Sequence, residues 1–319
     1  MIKKIGILTS GGDAPGMNTC VNAAIRAGIN HGKEMFVIFE GYKGLLEGNY
    51  KKVDKNFMIE HASHGGTYIG SARCTEFREP ENQKKAAELL KKSGIDALVV
   101  MGGDGSFAGA QKLHELGIKC MCIPTTIDGD INCSDYTIGQ DTALNTIVNA
   151  LDNIRETNTS HSRCAVVEIM GNTCSLLTDY SALATFADFK FTRETFVSMD
   201  DSVQKIKKFH DDGNKNCIVL VSEKFINTKE LTERLDKESG YTTRMTQLGH
   251  IQRGGTPSAY ERTIAVRFAV HAIRLLDEGK SGLCLGTKGD TIVYQEINKA
   301  LAAPKKDFSD YVDCYKDII

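Results

Sequence analysis

Residues 97–101, Ala-Leu-Val-Val-Met, form an unbroken apolar run that ends in Gly102-Gly103-Asp104-Gly105-Ser106. This join constrains the fold more than any other stretch. A short run that is apolar at every position suits a strand covered on both faces, as in a parallel sheet flanked by helices. Phe107, Ala110, Leu113 and Leu116 then recur at helical spacing, so a helix is predicted from about Ser106. A glycine turn feeding a helix N-terminus is an anion site, because free N–H groups and the positive end of the dipole face the ligand. Asp104 makes little sense as a phosphate contact. It suits a Mg²⁺ that phosphates also bind.

A second apolar run, Cys120 to Ile123, leads into Pro124-Thr125-Thr126-Ile127-Asp128-Gly129-Asp130. In a doubly wound sheet, ligands bind beyond the carboxyl ends of the strands. Both acidic motifs are therefore expected to face one crevice. The chemistry implied is phosphoryl transfer, with Asp104 near the metal and Asp128 as the base that takes a proton from an attacking hydroxyl.

The remaining chain repeats the alternation. Lys4 to Thr9 is a predicted strand, followed by the glycine turn Ser10-Gly11-Gly12-Asp13 and a helix through Val21, Ala24 and Ile25. The turn lacks the G-x-x-x-x-G-K-[ST] spacing, so it is not a Walker P-loop. Met35 to Phe39 is a strand ending at Gly41-Tyr42-Lys43-Gly44. The loop from His64 to Arg78 carries Arg73 and Arg78, whose guanidinium forks match phosphate oxygens. Asn82 to Lys92 is an amphipathic helix closed by Ser93-Gly94. Thr142 to Ile154, Val203 to Phe209, Asn227 to Lys237 and Tyr260 to Leu276 read as helices. Cys164 to Ile169, ending at Met170-Gly171-Asn172, and Cys217 to Val221, ending at Ser222-Glu223, read as strands. Ala182 to Phe191 reads as buried but irregular. Thr243 to Pro257 is a polar stretch holding Arg244, His250 and Arg253, and the tail from Pro304 reads as short and polar. Strands alternating with helices argue for an α/β protein with parallel sheets.

A chain of 319 residues is long enough for two domains. Its formal net charge of -2 provides no field that would favour nucleic acid or an anionic membrane. No apolar run approaches the roughly 18 residues of a membrane span, and the N-terminus lacks the apolar core of a signal peptide. The 10 cysteines are scattered without a C-x-x-C pair. That pattern suits reduced packing thiols in a cytosol, and no clustered histidines point to zinc.

The motifs GILTSGGDAPGMN, GSAR, GIDALVV-GGDGS, TID-D, TSH-R and GHIQRGG-P together resemble the bacterial ATP-dependent 6-phosphofructokinases, over essentially the full length. The resemblance implies the phosphofructokinase fold: two Rossmann-like three-layer domains with mainly parallel sheets. It implies an ATP-binding domain of residues 1–138 plus 252–302, and a sugar-phosphate domain of residues 139–251 plus 303–319. It further implies a cytoplasmic homotetramer, or one mixed with a paralogue, whose active site borrows residues from a neighbouring subunit. The activity implied is transfer of the ATP γ-phosphoryl to the 1-hydroxyl of fructose 6-phosphate. Carried over by position, Gly12, Tyr42, Arg73, Cys74, Arg78, Gly103, Gly105, Ser106 and Gly109 would hold ATP, and Asp104 would hold Mg²⁺. Asp128 would be the base, with Thr126 and Asp130 beside it. Met170, Gly171, Asn172 and Glu223 would meet the sugar. Arg244, His250 and Arg253 would grip its phosphate, helped by Arg163 of the next subunit.

The chain departs from the family's pattern in three places. Family members that use pyrophosphate carry Asp and Lys where this chain has Gly105 and Thr125, so the donor expected is ATP. The family reads Met-Gly-Arg where this chain has Asn172, which cannot supply a cation to the transferring phosphoryl. Arg73 is the nearest candidate to compensate, although in the family it already has a role. At the effector site Arg26, Lys55, Arg155 and Lys215 stay basic, but Asn22, Asp212 and Asn214 do not. Asp188 replaces a metal-binding Glu, and the glycines near Thr185 and Phe186 are gone. The alternatives are a catalytically weak paralogue that binds nucleotide and sugar phosphate, or a kinase using pyrophosphate or another sugar phosphate.

Overall fold

The computed structural model describes residues 2–318. Its strands, in chain order, are β1 (Lys4–Thr9), β2 (Glu34–Ile38), β3 (Tyr50–Val53), β4 (Ala97–Gly102), β5 (Lys119–Pro124), β6 (Arg163–Ile169), β7 (Phe189–Phe191), β8 (Cys217–Ser222), β9 (Thr242–Gln247), β10 (Leu283–Lys288) and β11 (Thr291–Glu296). Its helices are α1 (Met17–Asn30), α2 (Gly41–Glu47), α3 (Pro80–Ser93), α4 (Asp104–Glu115), α5 (Gln140–His161), α6 (Leu176–Thr185), α7 (Met199–Asp211), α8 (Thr228–Glu238), α9 (Ala259–Asp277), α10 (Ile297–Leu301) and α11 (Ser309–Ile318). The chain forms two compact units. One takes the chain up to Ile127, then Ile131–Thr142 and Arg253–Lys305. The other takes Asp128–Asp130, Ala143–Gln252 and the chain from Lys306 onward. No helix among the described residues is long and apolar enough to cross a membrane.

The first unit holds a seven-stranded sheet in the order β11-β10-β5-β4-β1-β2-β3. Its inner pairs are parallel, and only the edge strands β3 and β11 run antiparallel. All six residues of β4 are buried, as the continuous apolar run requires. Alternate side chains feed two cores. Ile5, Ile7, Val99 and Met101 pack with Val21 and Ile25 of α1 and Phe268 of α9. Leu8, Leu98 and Val100 pack with Leu45 of α2, Leu90 of α3 and Phe107 of α4. Three layers follow from the period-two alternation of the strands.

In the second unit β7-β8-β6-β9 form a parallel four-stranded sheet. Val166, Val219 and Val221 pack with Val203 and Ile206 of α7 and Leu231 and Leu235 of α8.

Several segments differ from the sequence reading. The stretch Ala182 to Phe191 is regular, ending α6 and forming β7. Phe186 closes that helix in the left-handed region at φ 49°, a place usually held by glycine, so the sequence carries no stop signal there. Gly41 to Gly44 opens helix α2, entered through left-handed Glu40. The polar stretch after residue 242 contains edge strand β9 and a 3-10 turn, Gly249–Gln252. The tail from Pro304 ends in α11, which packs on α6 and buries Tyr315.

One buried carboxylate organises the first unit. Glu261 of α9 is fully buried and accepts hydrogen bonds from the Tyr136 hydroxyl (2.7 Å), Gly139 N (2.7 Å), and Thr142 N and Oγ1 (3.1 Å each). Burial pushes its carboxyl up to about 7, against the pull of those donors. The folded value lies above the unfolded one, so this group's stabilisation is complete below the ordinary carboxyl range. It is lost as pH rises through about 7. Wild type should therefore lose on the order of 3 kcal/mol between pH 4.5 and 7 through this group. The Glu261→Gln variant should lack that slope, and urea denaturation at several pH values would measure the difference.

Candidate active site

The register aligns the carboxyl ends of neighbouring strands. In the first unit Thr9 pairs with Met101, and Met101 with Ile123. The turns after β1, β4 and β5 therefore leave the sheet side by side. These carry Gly11-Gly12, Gly102–Gly105 and Thr125-Thr126. Ser10 N donates to Met101 O and Thr125 N to Gly102 O, both at 2.9 Å, which ties the three together. The Gly70-Ser71-Ala72-Arg73 loop joins them. Thr9 Oγ1 donates to Gly70 O (2.7 Å), and Ser71 Oγ donates to Gly11 O (2.6 Å). Asn18 braces the same loop through His64 O and Gly65 O, and its Oδ1 accepts from Tyr68 N.

Asp104 and Gly105 are exposed in the first turn of α4, where the positive end of the helix dipole faces solvent. A side chain at Gly105 would meet nothing, so this edge is open to a ligand. Arg73 and Arg78 are exposed on the neighbouring loop. Cys74 is half-buried against the second core of this unit. Tyr42 is placed differently: it is buried, its hydroxyl donates to Ser106 O at 2.6 Å, and its ring stacks on Phe77 at 4.2 Å. A Cβ on Gly109 would come within 2.8 Å of that ring, so packing of Tyr42 alone accounts for the glycine. Arg253 belongs to this unit. Its guanidinium lies against Gly12, so a side chain there would have to displace it, and it donates to Asp13 O at 3.1 Å.

Among the described residues no group of three or more His, Cys, Asp or Glu could hold a metal by itself. The exposed Asp104 carboxylate beside a phosphate-type turn fits Mg²⁺, which binds through one or two carboxylates while phosphates and waters supply its other ligands.

In the second unit Ile169 pairs with Ser222, and Glu168 with Gln247. Met170-Gly171-Asn172, Glu223-Lys224 and the Gly249–Gln252 turn thus follow three adjacent carboxyl ends. Glu223 Oε1 accepts from Gly171 N (3.2 Å) and Asn172 N (2.8 Å), fixing the loop. Gln252 Oε1 accepts from Met170 N at 2.9 Å. Asn172 adopts φ 57°, a left-handed conformation that Asn tolerates better than most residues. Its amide donates to Asp130 Oδ2 at 3.3 Å, and its Oδ1 accepts from Lys224 Nζ at 3.1 Å. Lys306 Nζ donates to Gly129 O at 2.9 Å, between Asp128 and Asp130. Asp128 is 8 % exposed. Glu223 and Asp130 are thus joined through the Asn172 loop, which Lys224 reaches, while Lys306 reaches the backbone at Gly129.

Lys224 and Lys306 were not legible as site residues. Lys224 has no motif of its own, and Lys306 lies in what reads as a polar tail. His250 is exposed on the 3-10 turn at the same end of the sheet. Arg163 and Arg244 lie elsewhere. Arg163 opens β6, and Arg244 pairs with Ala165 two residues on, so both occupy the amino-terminal half of the sheet. Side chains two apart share a face, which places the two arginines on one side near edge strand β9. Within one unit they do not join the Asn172 loop.

The family model for phosphofructokinase matches residues 4–276. The ATP-dependent 6-phosphofructokinase of Vibrio cholerae is 45% identical over 306 residues, covering 96% of each chain. That of Vibrio campbellii gives the same identity and coverage. Among solved structures, phosphofructokinase from Saccharomyces cerevisiae superposes with TM-score 0.87 at 33% identity. The match covers 99% of this chain and 47% of the yeast chain.

Proposed function

The chain belongs to the phosphofructokinase family, and from that premise we propose that it transfers the γ-phosphoryl of ATP to the 1-hydroxyl of fructose 6-phosphate in glycolysis. The observation that carries the reading is the loop after β6, which donates its N–H groups to Glu223 and the Asn172 amide to Asp130. The first unit binds ATP. Gly12, Gly103 and Gly105 offer backbone to its phosphates, Ser106 closes the turn through its N–H to Gly103 O, and Arg73 and Arg78 offer charge. Tyr42, Cys74 and Gly109 shape the wall beneath. Asp104 holds Mg²⁺, which neutralises phosphate charge when bound. In the second unit Asp128 takes the proton from the sugar hydroxyl. Asp130, Met170, Gly171 and Glu223 position that sugar, and His250 meets its phosphate.

Steady-state rates with fructose 6-phosphate, Mg²⁺ and either ATP or pyrophosphate test this. Turnover with ATP is expected. Turnover only with pyrophosphate, or with neither donor, overturns it.

Lys224 takes the place of the missing cation at Asn172. The support is its ammonium 3.1 Å from Asn172 Oδ1, on a residue itself held at φ 58°. Left-handed non-glycine residues concentrate at functional sites. Lys224→Met should lower kcat by about 10²-fold, the scale of losing one charge stabiliser. Adding Asn172→Arg should restore part of it. An unchanged kcat in Lys224→Met would remove Lys224 from the reaction.

The working form is a cytoplasmic homotetramer. Arg163 and Arg244, grouped near an edge strand away from the Asn172 loop, then serve the sugar phosphate of a neighbouring subunit. The effector response is weak. Arg155 already donates to Thr185 O (2.6 Å) and Phe186 O (3.1 Å), and Asp188 accepts from Ile218 N (2.7 Å). ADP and phosphoenolpyruvate should leave the rate near its basal value. A several-fold shift in either assay would contradict this.

A further inference from the structure

Cys133 and Cys284 stand with their sulfurs 3.6 Å apart, although they are far apart in sequence. Cys284 lies on β10 and is 1 % exposed, whereas Cys133 is half-buried in the segment that follows β5. The Cys284 thiol beside Cys133 holds the Cys133 thiol below its ordinary value, and burial pushes that of Cys284 up. The two sulfurs therefore differ in kind: one is reachable and more readily a thiolate, the other enclosed and protonated. A second close pair, Cys164 and Cys217, pairs across β6 and β8 with both residues fully buried, where no oxidant arrives.

The position of Cys133 gives the pair a consequence. Its segment is stitched to β10: Thr287 N donates to Ser134 Oγ (2.8 Å), and Asp135 N donates to Thr287 O (3.0 Å). Two residues earlier, buried Ile131 packs on the glycine turn, its Cδ1 within 3.8 Å of where a Cβ on Gly103 would stand. The negative charge of Asp104 pushes both thiols up, so the turn and the sulfurs sense one another while the neighbouring Cys284 thiol keeps Cys133 low.

We propose that Cys133 and Cys284 are an oxidisable dithiol that takes hydroperoxides, and that its disulfide disturbs the Gly103-Asp104 turn. The Cys133 thiolate attacks one peroxide oxygen. The S–O bond forms, the O–O bond breaks, and the leaving oxygen takes a proton and departs as alcohol, or as water from hydrogen peroxide. The Cys284 sulfur then attacks the Cys133 sulfenic acid. An S–S bond forms, the S–O bond breaks, and the hydroxyl leaves as water with the Cys284 proton. Two electrons pass from the thiols to the peroxide. A disulfide needs a sulfur separation of about 2.05 Å, so the sulfurs must close by roughly 1.5 Å. Cys284 is fixed in the sheet, so the segment carrying Cys133 and Ile131 moves.

The test treats the purified full chain with stoichiometric hydrogen peroxide and maps its peptides without reductant. The expected result is a Cys133–Cys284 linked peptide lighter by two hydrogen atoms, formed before the exposed Cys314 is modified and reversed by dithiothreitol. Cys133→Ser should abolish the link. Cys284→Ser should leave a sulfenic acid at Cys133 that dimedone traps. First oxidation at Cys314, or a Cys133 that stays unlinked, overturns the site. Activity is read in parallel and rests on the phosphotransfer reading. The oxidised wild type should lose most of its turnover and regain it with dithiothreitol, while the Cys133→Ser variant keeps its own. A linked protein with full turnover overturns the coupling to the turn. A reduced protein with no turnover refutes the phosphotransfer reading and leaves the linked peptide standing.

Discussion

Asp128→Asn is expected to lower kcat by about 10²–10⁴-fold, the range for removing a positioned general base, while sugar-phosphate binding changes little. The substitution keeps the size and planarity of the side chain, and the loop around it has its own supports. Lys306 holds Gly129 O, and Asn172 holds Asp130. The base acts on a proton that moves only in the transition state, so the loss belongs in kcat and not in ground-state affinity. Measuring kcat beside the dissociation constant of fructose 6-phosphate separates the two. A variant that binds the sugar poorly but turns over normally would make Asp128 a binding residue only. A variant with full kcat would assign the base elsewhere.

Lys190→Met should cost about 3–5 kcal/mol, the scale for leaving one partner of a buried ion pair alone. Lys190 Nζ lies 2.6 Å from Asp179 Oδ1, and both side chains are 0% exposed. The ammonium also sits 4.6 Å from the centre of the Tyr315 ring, whose hydroxyl donates to Ala187 O. Burial already raises the Asp179 carboxyl, and Lys190 opposes that rise. Without the lysine, the carboxyl takes up a proton in the folded state. Its folded value then rises further above the unfolded one, so the variant should be weakest at high pH. Chemical denaturation at pH 5 and pH 8 would show this. Combining Lys190→Met with Asp179→Leu should recover most of the loss, because an apolar pair of similar volume needs no compensation. If the single variant matched wild type, the pair would be a solvated contact.

The resemblance carried much of the site reading, but physics made parts of it legible unaided. The run 97–101 suited a strand covered on both faces, and the glycines after it suited a turn opening a helix. Gly94 appeared as a helix stop and is one, at φ 69°. The expectation about Tyr42 was of another kind. The resemblance suggested a ligand contact, and the structure adds a ring partner and a backbone acceptor beneath the turn. Polar spacing also hid elements. The helix ending at Phe186 has no glycine stop, and the buried Asp179 and Lys190 interrupt the apolar period that would have revealed it.

By itself the sequence determined the strand–turn–helix alternation, the parallel sheets and the chemical character of the acidic motifs. These follow from interactions within a few residues: apolar period, glycine backbone freedom and helix capping. Only the tertiary structure decided which distant groups meet. It brought Lys224 to Asn172, Lys306 to Gly129 and Cys133 to Cys284. It set Arg163 and Arg244 in the amino-terminal half of their sheet, away from the Asn172 loop. Such pairings depend on strand order and register, which arise from burying whole faces at once, and no local window of residues contains that information.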